Sequence, residues 1–163
     1  MTAINELLAR HAKTRDLGHP EIQTPVPSLG LTIVTCMDAR IKVFDVFGLK
    51  HGEAHILRNA GGIVTEDVIR SLTISQRLLG TREVIVVQHT NCGLSQITDD
   101  DFKTLVEEDT GLRPTWAVEA FREVKDSVRV SVERVRRSAF LPSTDNVRGF
   151  VYDVATGLLD EVV

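Results

Sequence analysis

The stretch TCMDAR packs a thiol, a carboxylate and a guanidinium into five positions, at Cys36, Asp38 and Arg40. Further along the chain, HTNCG brings His89 and Cys92 three positions apart as an apolar run ends. Two sulfurs and one imidazole nitrogen suit zinc, and three protein ligands leave the fourth tetrahedral position for water or substrate, as in catalytic sites. The residue types therefore favour a three-ligand metal site at Cys36, His89 and Cys92.

Two kinds of thiol chemistry fit the spacing less well. A thiol phosphatase loop needs an arginine six positions after its cysteine to cradle phosphate, but that position holds Lys42 and Arg40 comes two residues early. A dithiol redox site needs two cysteines within one turn, and each cysteine here is alone in its segment. A buried, inert pair of cysteines beside a histidine stays open as an alternative, as does thiol catalysis.

Three short runs are predicted to be strands that position these groups. LTIVTC and EVIVVQH are β-branched and apolar, which is typical of strands covered on both faces, and EAHILRN lies between them. In parallel sheets, ligands gather at the carboxyl ends of the strands, beside the point where the strand order reverses. If the first two runs are neighbours there, Cys36 and His89 face one pocket.

The remaining segments predict helices and a hairpin. TEDVIRSLTISQRLLG has Thr65 as a candidate N-cap and Gly80 at its end, so we predict a helix between them. Residues 115–139 carry four valines on one helical face and are predicted to form the longest helix. The acidic stretch TDDDFKTLVEEDTG is interpreted as a solvated surface segment. The final VRGFVYDVATGLLDEVV predicts a hairpin.

These elements predict an α/β fold with a mostly parallel β-sheet flanked by helices and an antiparallel C-terminal edge hairpin. The 163 residues suit one domain, which we assign to residues 31–163. Residues 1–30 are interpreted as an N-terminal helical arm, with apolar residues at helical spacing, followed by a proline-rich connection. Such an arm packs either on its own subunit or on a partner.

Composition and charge argue against several classes of partner. Nineteen basic against 23 acidic residues give a net charge of −4, which argues against nucleic acid as a partner. No apolar run approaches the roughly 20 residues of a membrane span, and the start MTAINELLARHAKTRD lacks the pattern of an export signal. We therefore expect no membrane partner and a cytoplasmic location, where the cysteines stay reduced.

Three motifs in register, CMDAR, RNAGG and HTNCG, resemble the β-class carbonic anhydrases in their compact form. That family reads Cys-x-Asp-Ser-Arg, then Arg-Asn-Ala-Gly, then His-x-x-Cys. The likeness runs from about Leu31 to the end of the chain and includes the final hairpin. One position departs from the pattern, because Ala39 replaces the usual serine and removes a hydroxyl beside the arginine.

The resemblance implies a zinc-dependent lyase with one Zn²⁺ per chain, bound by Cys36, His89 and Cys92. It implies the reversible hydration of carbon dioxide to bicarbonate and a proton by zinc-bound hydroxide. Asp38 would orient the zinc-bound water, and Arg40, through a bidentate fork, would keep that carboxylate ionised and correctly turned. In some family members the aspartate releases the arginine and becomes a fourth ligand at low pH, so Asp38 is also a candidate metal ligand.

Two glycines are candidate substrate-binding residues. The NAGG segment allows positive φ and a close approach of Gly62 to the metal pocket, with a plain strand-ending turn as the alternative. Gly93, just after Cys92, could offer its backbone amide to a bound oxygen. His51 and His55 are candidates, by residue type alone, for passing the proton to solvent.

Relatives of this fold hydrolyse carbonyl sulfide or carbon disulfide with the same metal chemistry, and the ligand residues alone do not separate these substrates. A non-catalytic zinc- or bicarbonate-binding protein is a further alternative, against which the pair Asp38 and Arg40 argues, because a structural ion needs no water-orienting group. The family leads us to expect a homodimer or higher homo-oligomer, with carbon dioxide and bicarbonate as the small-molecule partners.

Overall fold

The structure is a computed structural model that describes residues 2–14 and 24–163. The helices are α1 (Ala3–Thr14), α2 (Val43–Phe47), α3 (Glu66–Leu79), α4 (Asp99–Thr110) and α5 (Val124–Arg136). The strands are β1 (Leu31–Cys36), β2 (Ala54–Asn59), β3 (Glu83–His89), β4 (Val147–Tyr152) and β5 (Leu159–Glu161). They form one sheet of order β2-β1-β3-β4-β5, in which only β5 runs antiparallel. The predicted α/β fold with its C-terminal edge hairpin is confirmed.

Strand β1 lies between β2 and β3 and pairs in parallel with both. The chain leaves β1 toward β2 and then returns to β3 on the other side, so the strand order reverses between β1 and β3. Thr35 pairs with Val87 in this register, and therefore Cys36 and His89 leave the sheet at neighbouring points. The two predicted strands are neighbours, and their carboxyl ends border the crevice where such folds bind ligands.

Helix α3 has the boundaries that its sequence predicts. The Thr65 hydroxyl accepts a hydrogen bond from the Val68 N–H at 3.4 Å, which caps the first turn, and Gly80 ends the helix with φ +73°. With α5, this helix covers one face of the sheet and completes the larger apolar core. The buried residues of that core are Val34, Val64, Val68, Leu72, Val84, Val86, Val128, Val132, Val135, Leu141, Val147 and Val151.

The prediction of the longest helix over residues 115–139 is wrong. Helix α5 begins only at Val124 and ends at Arg136, and its 13 residues are fewer than the 14 of α3. The preceding segment is not helical, and Glu119 within it has φ +62°, which lies outside the helical region. Its conformation is held by tertiary hydrogen bonds, which override the local pattern.

The acidic stretch supplies part of that constraint. It forms helix α4, with no buried residue, so the prediction of a solvated surface segment is right but the helix was not predicted. The Asp99 carboxylate, in the first turn, accepts hydrogen bonds from the N–H groups of Val118 at 2.9 Å and Ala120 at 2.8 Å. An aspartate that looks like surface charge in the sequence therefore fixes the segment before α5.

The N-terminal arm is helical, as predicted, but helix α1 buries none of its residues. Ile4, Leu7 and Leu8 are 60% to 70% exposed. Residues 24–30 of the predicted connection contain no helix or strand, and the rest of that connection lies outside the described residues. Among the described helices, none combines the length and apolar character that crossing a bilayer requires.

The turn after β2 passes directly over the ends of β1 and β3. Gly62 has φ +64°, and a Cβ there would lie 2.7 Å from the backbone nitrogen of Cys36 and 2.9 Å from the carbonyl oxygen of Val87. Only glycine fits both the conformation and the space. The Asn59 side chain closes the turn, because its amide donates to the Ile63 carbonyl at 2.8 Å and its oxygen accepts from the Ile63 N–H at 3.0 Å.

We predict that Gly62→Ala lowers the free energy of unfolding of the metal-free protein by at least about 3 kcal/mol, since a clash with backbone adds to the strain of positive φ. Gly111→Ala is the matched control, because Gly111 has φ +74° but open space around it, and should cost only about 1 kcal/mol. Urea unfolding followed by circular dichroism measures both. Equal losses in the two variants would contradict the packing argument.

Candidate metal centre

Cys36, His89 and Cys92 come together at the crevice between β1 and β3. One ligand atom from each lies within 4.8 Å of the other two, and all three residues are buried. Cys36 ends β1, His89 ends β3, and the turn that follows β3 returns Cys92 toward them. Both thiols are free, so no disulfide competes with metal binding.

The His89 imidazole is fixed in the tautomer that a metal ligand requires. Its Nδ1 lies 2.8 Å from the Thr90 carbonyl oxygen, which can only accept, so Nδ1 carries the proton. In the neutral ring Nε2 presents a lone pair, and this buried atom has no hydrogen-bond partner among the described residues. Burial lowers the pKa of His89, but the neighbouring Cys36 sulfur outweighs burial and raises this pKa in the metal-free protein. An acceptor left without a partner beside two sulfurs fits a bound cation, and this donor set suits zinc.

The two sulfurs share their charge unequally in the metal-free protein. A hydrogen bond from the Cys92 thiol lowers the pKa of Cys36 well below its usual value, against the opposing effect of burial. The same bond, together with burial, raises the pKa of Cys92 well above its usual value. Cys36 is therefore the sulfur that loses its proton more readily, and binding of one metal ion by both sulfurs would require the shared proton to leave.

Backbone amides also stabilise the Cys36 thiolate. The N–H groups of Asp38 and Gly61 hydrogen-bond to its sulfur and lower its pKa further. Gly61, with φ +76°, belongs to the NAGG turn, so this turn contributes an amide to the metal centre as well as close packing. The sequence drew attention to the glycines of this turn but not to this hydrogen bond.

Asp38 and Arg40 form a bidentate ion pair beside the ligands. Arg40 donates from Nε to Oδ1 at 2.9 Å and from Nη2 to Oδ2 at 2.7 Å, and its backbone N–H donates to Oδ1 at 2.9 Å. These bonds hold the pKa of Asp38 well below its usual range, so the carboxylate stays ionised at neutral and mildly acidic pH. Asp38 Oδ2 lies 3.8 Å from His89 Nε2.

Arg40 also connects the loop after β1 with the turn after β3. Its Nη2 donates to the carbonyl oxygen of Asn91 at 3.0 Å, in the turn between His89 and Cys92. Asn91 has φ +53°, an uncommon conformation for a residue other than glycine, which costs of order 1 kcal/mol and persists where the surroundings require it. Asn91 was not identified from the sequence, although asparagine is one of the residues that tolerate this conformation.

A second arginine contacts the loop that carries Cys36 and Asp38, and, like Asn91, it was not identified as a functional residue from the sequence. Arg58 of the RNAGG segment donates from Nε to the carbonyl oxygen of Cys36 at 2.9 Å and from Nη2 to that of Asp38 at 2.7 Å. The motif itself was the available signal, but the acceptors are main-chain atoms, which no residue pattern identifies.

Apolar side chains surround the centre. Leu94 and Phe121 pack in the smaller core, which includes Cys36 and Cys92. The segment that carries Phe121 is held by a bidentate pair in which Arg134 donates to the Glu119 carboxylate at 2.9 Å and 2.9 Å. A neighbouring apolar cavity of about 520 Å³ is lined by residues that include Met37, Ile63, Leu94, Phe102 and Trp116.

The remaining candidates differ in position. Gly62 packs against the backbone of Cys36, whereas a Cβ at Gly93 would meet nothing within 4 Å, and their roles in substrate binding stay predictions. His55 pairs in register with Thr32, near the amino end of β1, and hydrogen-bonds to Ser75 and Pro25. His51, in the turn before β2, packs against Phe44 of α2. Neither histidine belongs to the group of metal-ligating atoms.

Comparison with known proteins gives consistent matches. The model of the family described as "Carbonic anhydrase" matches residues 31–159. "Beta-carbonic anhydrase 1" of Mycobacterium tuberculosis is 54% identical over 136 residues, which cover 83% of each chain. "Carbon disulfide hydrolase" of Acidithiobacillus thiooxidans is 30% identical over 171 residues, covering 92% of this chain and 82% of the relative. The crystal structure of a carbonic anhydrase from Streptococcus mutans superposes with a TM-score of 0.93 at 36% identity, covering 100% of this chain and 99% of the other.

We predict that the purified protein holds one divalent metal ion per chain and that Cys36→Ala, His89→Ala and Cys92→Ala each weaken binding more than about 100-fold. Losing a ligand should exceed the roughly 10–100-fold effect of losing a ligand's hydrogen-bond partner. Elemental analysis and chelator competition measure this. Met37→Ala, next to a ligand but with an exposed side chain, is the control and should bind normally. Full metal content in Cys92→Ala would contradict the assignment.

Proposed function

The chain belongs to the β-carbonic anhydrase family, and from that membership we propose that it interconverts carbon dioxide and bicarbonate with one zinc ion held by Cys36, His89 and Cys92. The observation that carries this proposal is Nε2 of His89, which finds no hydrogen-bond partner in the described part of the chain and lies beside two thiol sulfurs and 3.8 Å from an ionised carboxylate. When bound, zinc acidifies a coordinated water, so that a hydroxide nucleophile is available near neutral pH.

Asp38 has the properties of the group that orients the nucleophile. Its carboxylate is ionised, 19% exposed and close to the ligand atoms, so it can accept the hydrogen bond of the attacking hydroxyl and turn the lone pair toward carbon dioxide. Two thiolate ligands donate much charge to a metal and make it a weaker acid. A carboxylate that fixes the hydroxyl in one orientation offsets part of that disadvantage.

Arg40 has the properties of the group that holds Asp38. Its two parallel hydrogen bonds fix the plane of the carboxylate, which a lysine, as a point charge, cannot do. We further propose a second arrangement, in which Asp38 leaves Arg40 and serves as a fourth metal ligand that closes the site. The arginine-paired arrangement in this structure corresponds to the open site.

The apolar surroundings suit a small uncharged substrate. Leu94 and Phe121 pack against the small core that contains both sulfurs, and the cavity of about 520 Å³ that Leu94 also lines is largely apolar. Carbon disulfide is a second candidate substrate, because a relative that is 30% identical bears the name of a carbon disulfide hydrolase. The greater likeness to a protein named carbonic anhydrase, at 54% identity, favours carbon dioxide.

We also propose that the protein is a homodimer in a reducing compartment such as the cytoplasm. Two free, buried thiols keep their ligand role only while reduced. Helix α1 has 12 residues, is marginal alone in water, and leaves Ile4, Leu7 and Leu8 exposed. A second copy of the chain would cover this apolar face.

Stopped-flow hydration of carbon dioxide tests the proposed activity, with carbon disulfide hydrolysis assayed in parallel. We expect kcat/KM to rise from about pH 6 to about pH 9, because the reactive group is a deprotonated water. We expect Asp38→Ala and Arg40→Lys to lower kcat/KM about 10–100-fold while the metal content stays at one per chain.

Arg129→Lys is the control for Arg40→Lys, since Arg129 pairs with Asp126 on the surface of α5 at 2.7 Å. It should retain full activity. A flat pH profile, or an Arg40→Lys variant as active as Arg129→Lys, would refute the assigned roles. A zinc-loaded protein with no hydration activity would instead favour a bicarbonate-binding protein without catalysis.

We predict that Leu7→Glu and Leu8→Glu convert the dimer to monomer, because each puts a charge on the apolar face of α1. Sedimentation velocity gives the mass. Ala9→Glu adds the same charge on the opposite side of the helix and should leave the dimer intact. A monomeric wild type, or dimers that survive both leucine substitutions, would show that this face is not the interface.

A further inference from the structure

Arg58 lies on the edge strand β2 and reaches across the end of β1. In the parallel register it pairs with Thr35, one residue before the ligand Cys36. Its guanidinium donates to the carbonyl oxygens of Cys36 at 2.9 Å and Asp38 at 2.7 Å. The next residue of β2, Asn59, accepts a hydrogen bond from the Met37 N–H at 2.8 Å. Strand β2 therefore holds three successive residues of the loop that carries the sulfur and the carboxylate.

The loop needs such support, because strand β3 no longer pairs with it. The pairing of β1 with β3 ends at Thr35, and from Met37 onward the chain is neither helix nor strand until α2 begins. Apart from Arg58, the Asp38 carbonyl accepts from the Ile41 N–H at 3.1 Å, within the loop itself. Two carbonyls held by one planar group fix the peptide planes after Cys36 and Asp38, and so the directions in which both side chains leave the backbone.

The contacts of Arg58 argue against a role for its charge alone. It forms no ion pair with a carboxylate among the described residues, whereas Arg40 pairs with Asp38 and Arg134 with Glu119. Arg58 instead donates to main-chain carbonyls, and these directed hydrogen bonds fix the orientation of the peptide groups that accept them. The rigid fork of an arginine suits two separate acceptors, and a lysine would keep the charge without the fork.

We propose that Arg58 is a positioning residue, which touches neither metal nor substrate. By holding the main-chain carbonyls of Cys36 and Asp38, it fixes the orientation of the Cys36 sulfur relative to the Asp38 carboxylate. The inference rests on the proposed function and deepens it. The two arginines have separate roles, since Arg40 holds the carboxylate and Arg58 holds the backbone beneath it. Asp38 can then change its side-chain partner while the main chain stays fixed.

The test compares Arg58→Gln and Arg58→Lys with Arg77→Gln. Arg77 is an exposed arginine whose Nε donates to the Phe140 carbonyl at 3.0 Å, so its variant loses the same kind of bond outside the metal centre. The measurements on the full-length proteins are kcat and KM for carbon dioxide, metal content, urea unfolding, and the visible spectrum of the Co²⁺-substituted proteins.

We expect Arg58→Gln to lower kcat about 10–100-fold with KM changed less than about threefold, because orientation of the nucleophile matters most in the transition state. Its metal content should stay at one per chain, and its urea midpoint should match that of Arg77→Gln. Its Co²⁺ spectrum should differ from wild type, since the direction of one sulfur ligand changes. Arg58→Lys should lie between Arg58→Gln and wild type.

The Co²⁺ spectrum separates this inference from the proposed function, because it requires no turnover. An inactive wild type would refute the proposed function, and a shifted spectrum in Arg58→Gln would still support the positioning role. An Arg58→Gln variant with wild-type kcat and an unchanged spectrum would overturn the inference. So would a loss of activity that Arg77→Gln shares, or one that follows only from lost metal.

Discussion

The parallel pairing of β1 with β3 is the constraint on which the metal centre depends. It brings the ends of two strands that are distant in sequence to neighbouring points, where Cys36 and His89 leave the sheet. The turn after β3 then has only to return Cys92 toward them. Gly62 packs over both strand ends, where any side chain would meet backbone atoms. The NAGG turn therefore lies directly against the point where β1 and β3 end. The ligand group is a consequence of sheet topology at a switch point.

Polar groups then adjust the charge at this junction. Amides of Asp38 and Gly61 stabilise one sulfur, and the Thr90 carbonyl fixes the His89 tautomer. Arg40 keeps a carboxylate ionised beside the ligands. Most of these partners are backbone atoms whose positions follow from the strands and turns around them, so the electrostatics and the fold cannot be changed independently.

The parts that could be predicted from the sequence are those that local chemistry specifies. β-branched runs identified the strands, Thr65 and Gly80 identified the ends of α3, and residue type grouped the three donors. The errors arose where distant groups decide the conformation. Asp99 captures backbone amides of the segment that was predicted to be helical, and Arg58 binds main-chain carbonyls. Helix α4 had a readable signal, because the Thr98 hydroxyl caps it and is followed three residues later by an acid.

Ala39 illustrates how a departure from the family pattern acts through the same contacts. The usual serine would add a hydroxyl beside the arginine, whereas here every hydrogen bond that the Asp38 carboxylate accepts from the described residues comes from Arg40. Oδ1 accepts two of them and Oδ2 only one, so Oδ2 keeps an acceptor site for a further donor. This is also the oxygen that lies 3.8 Å from His89 Nε2. With alanine at position 39, Asp38 depends on one arginine for its orientation, and its less occupied oxygen lies next to the ligands.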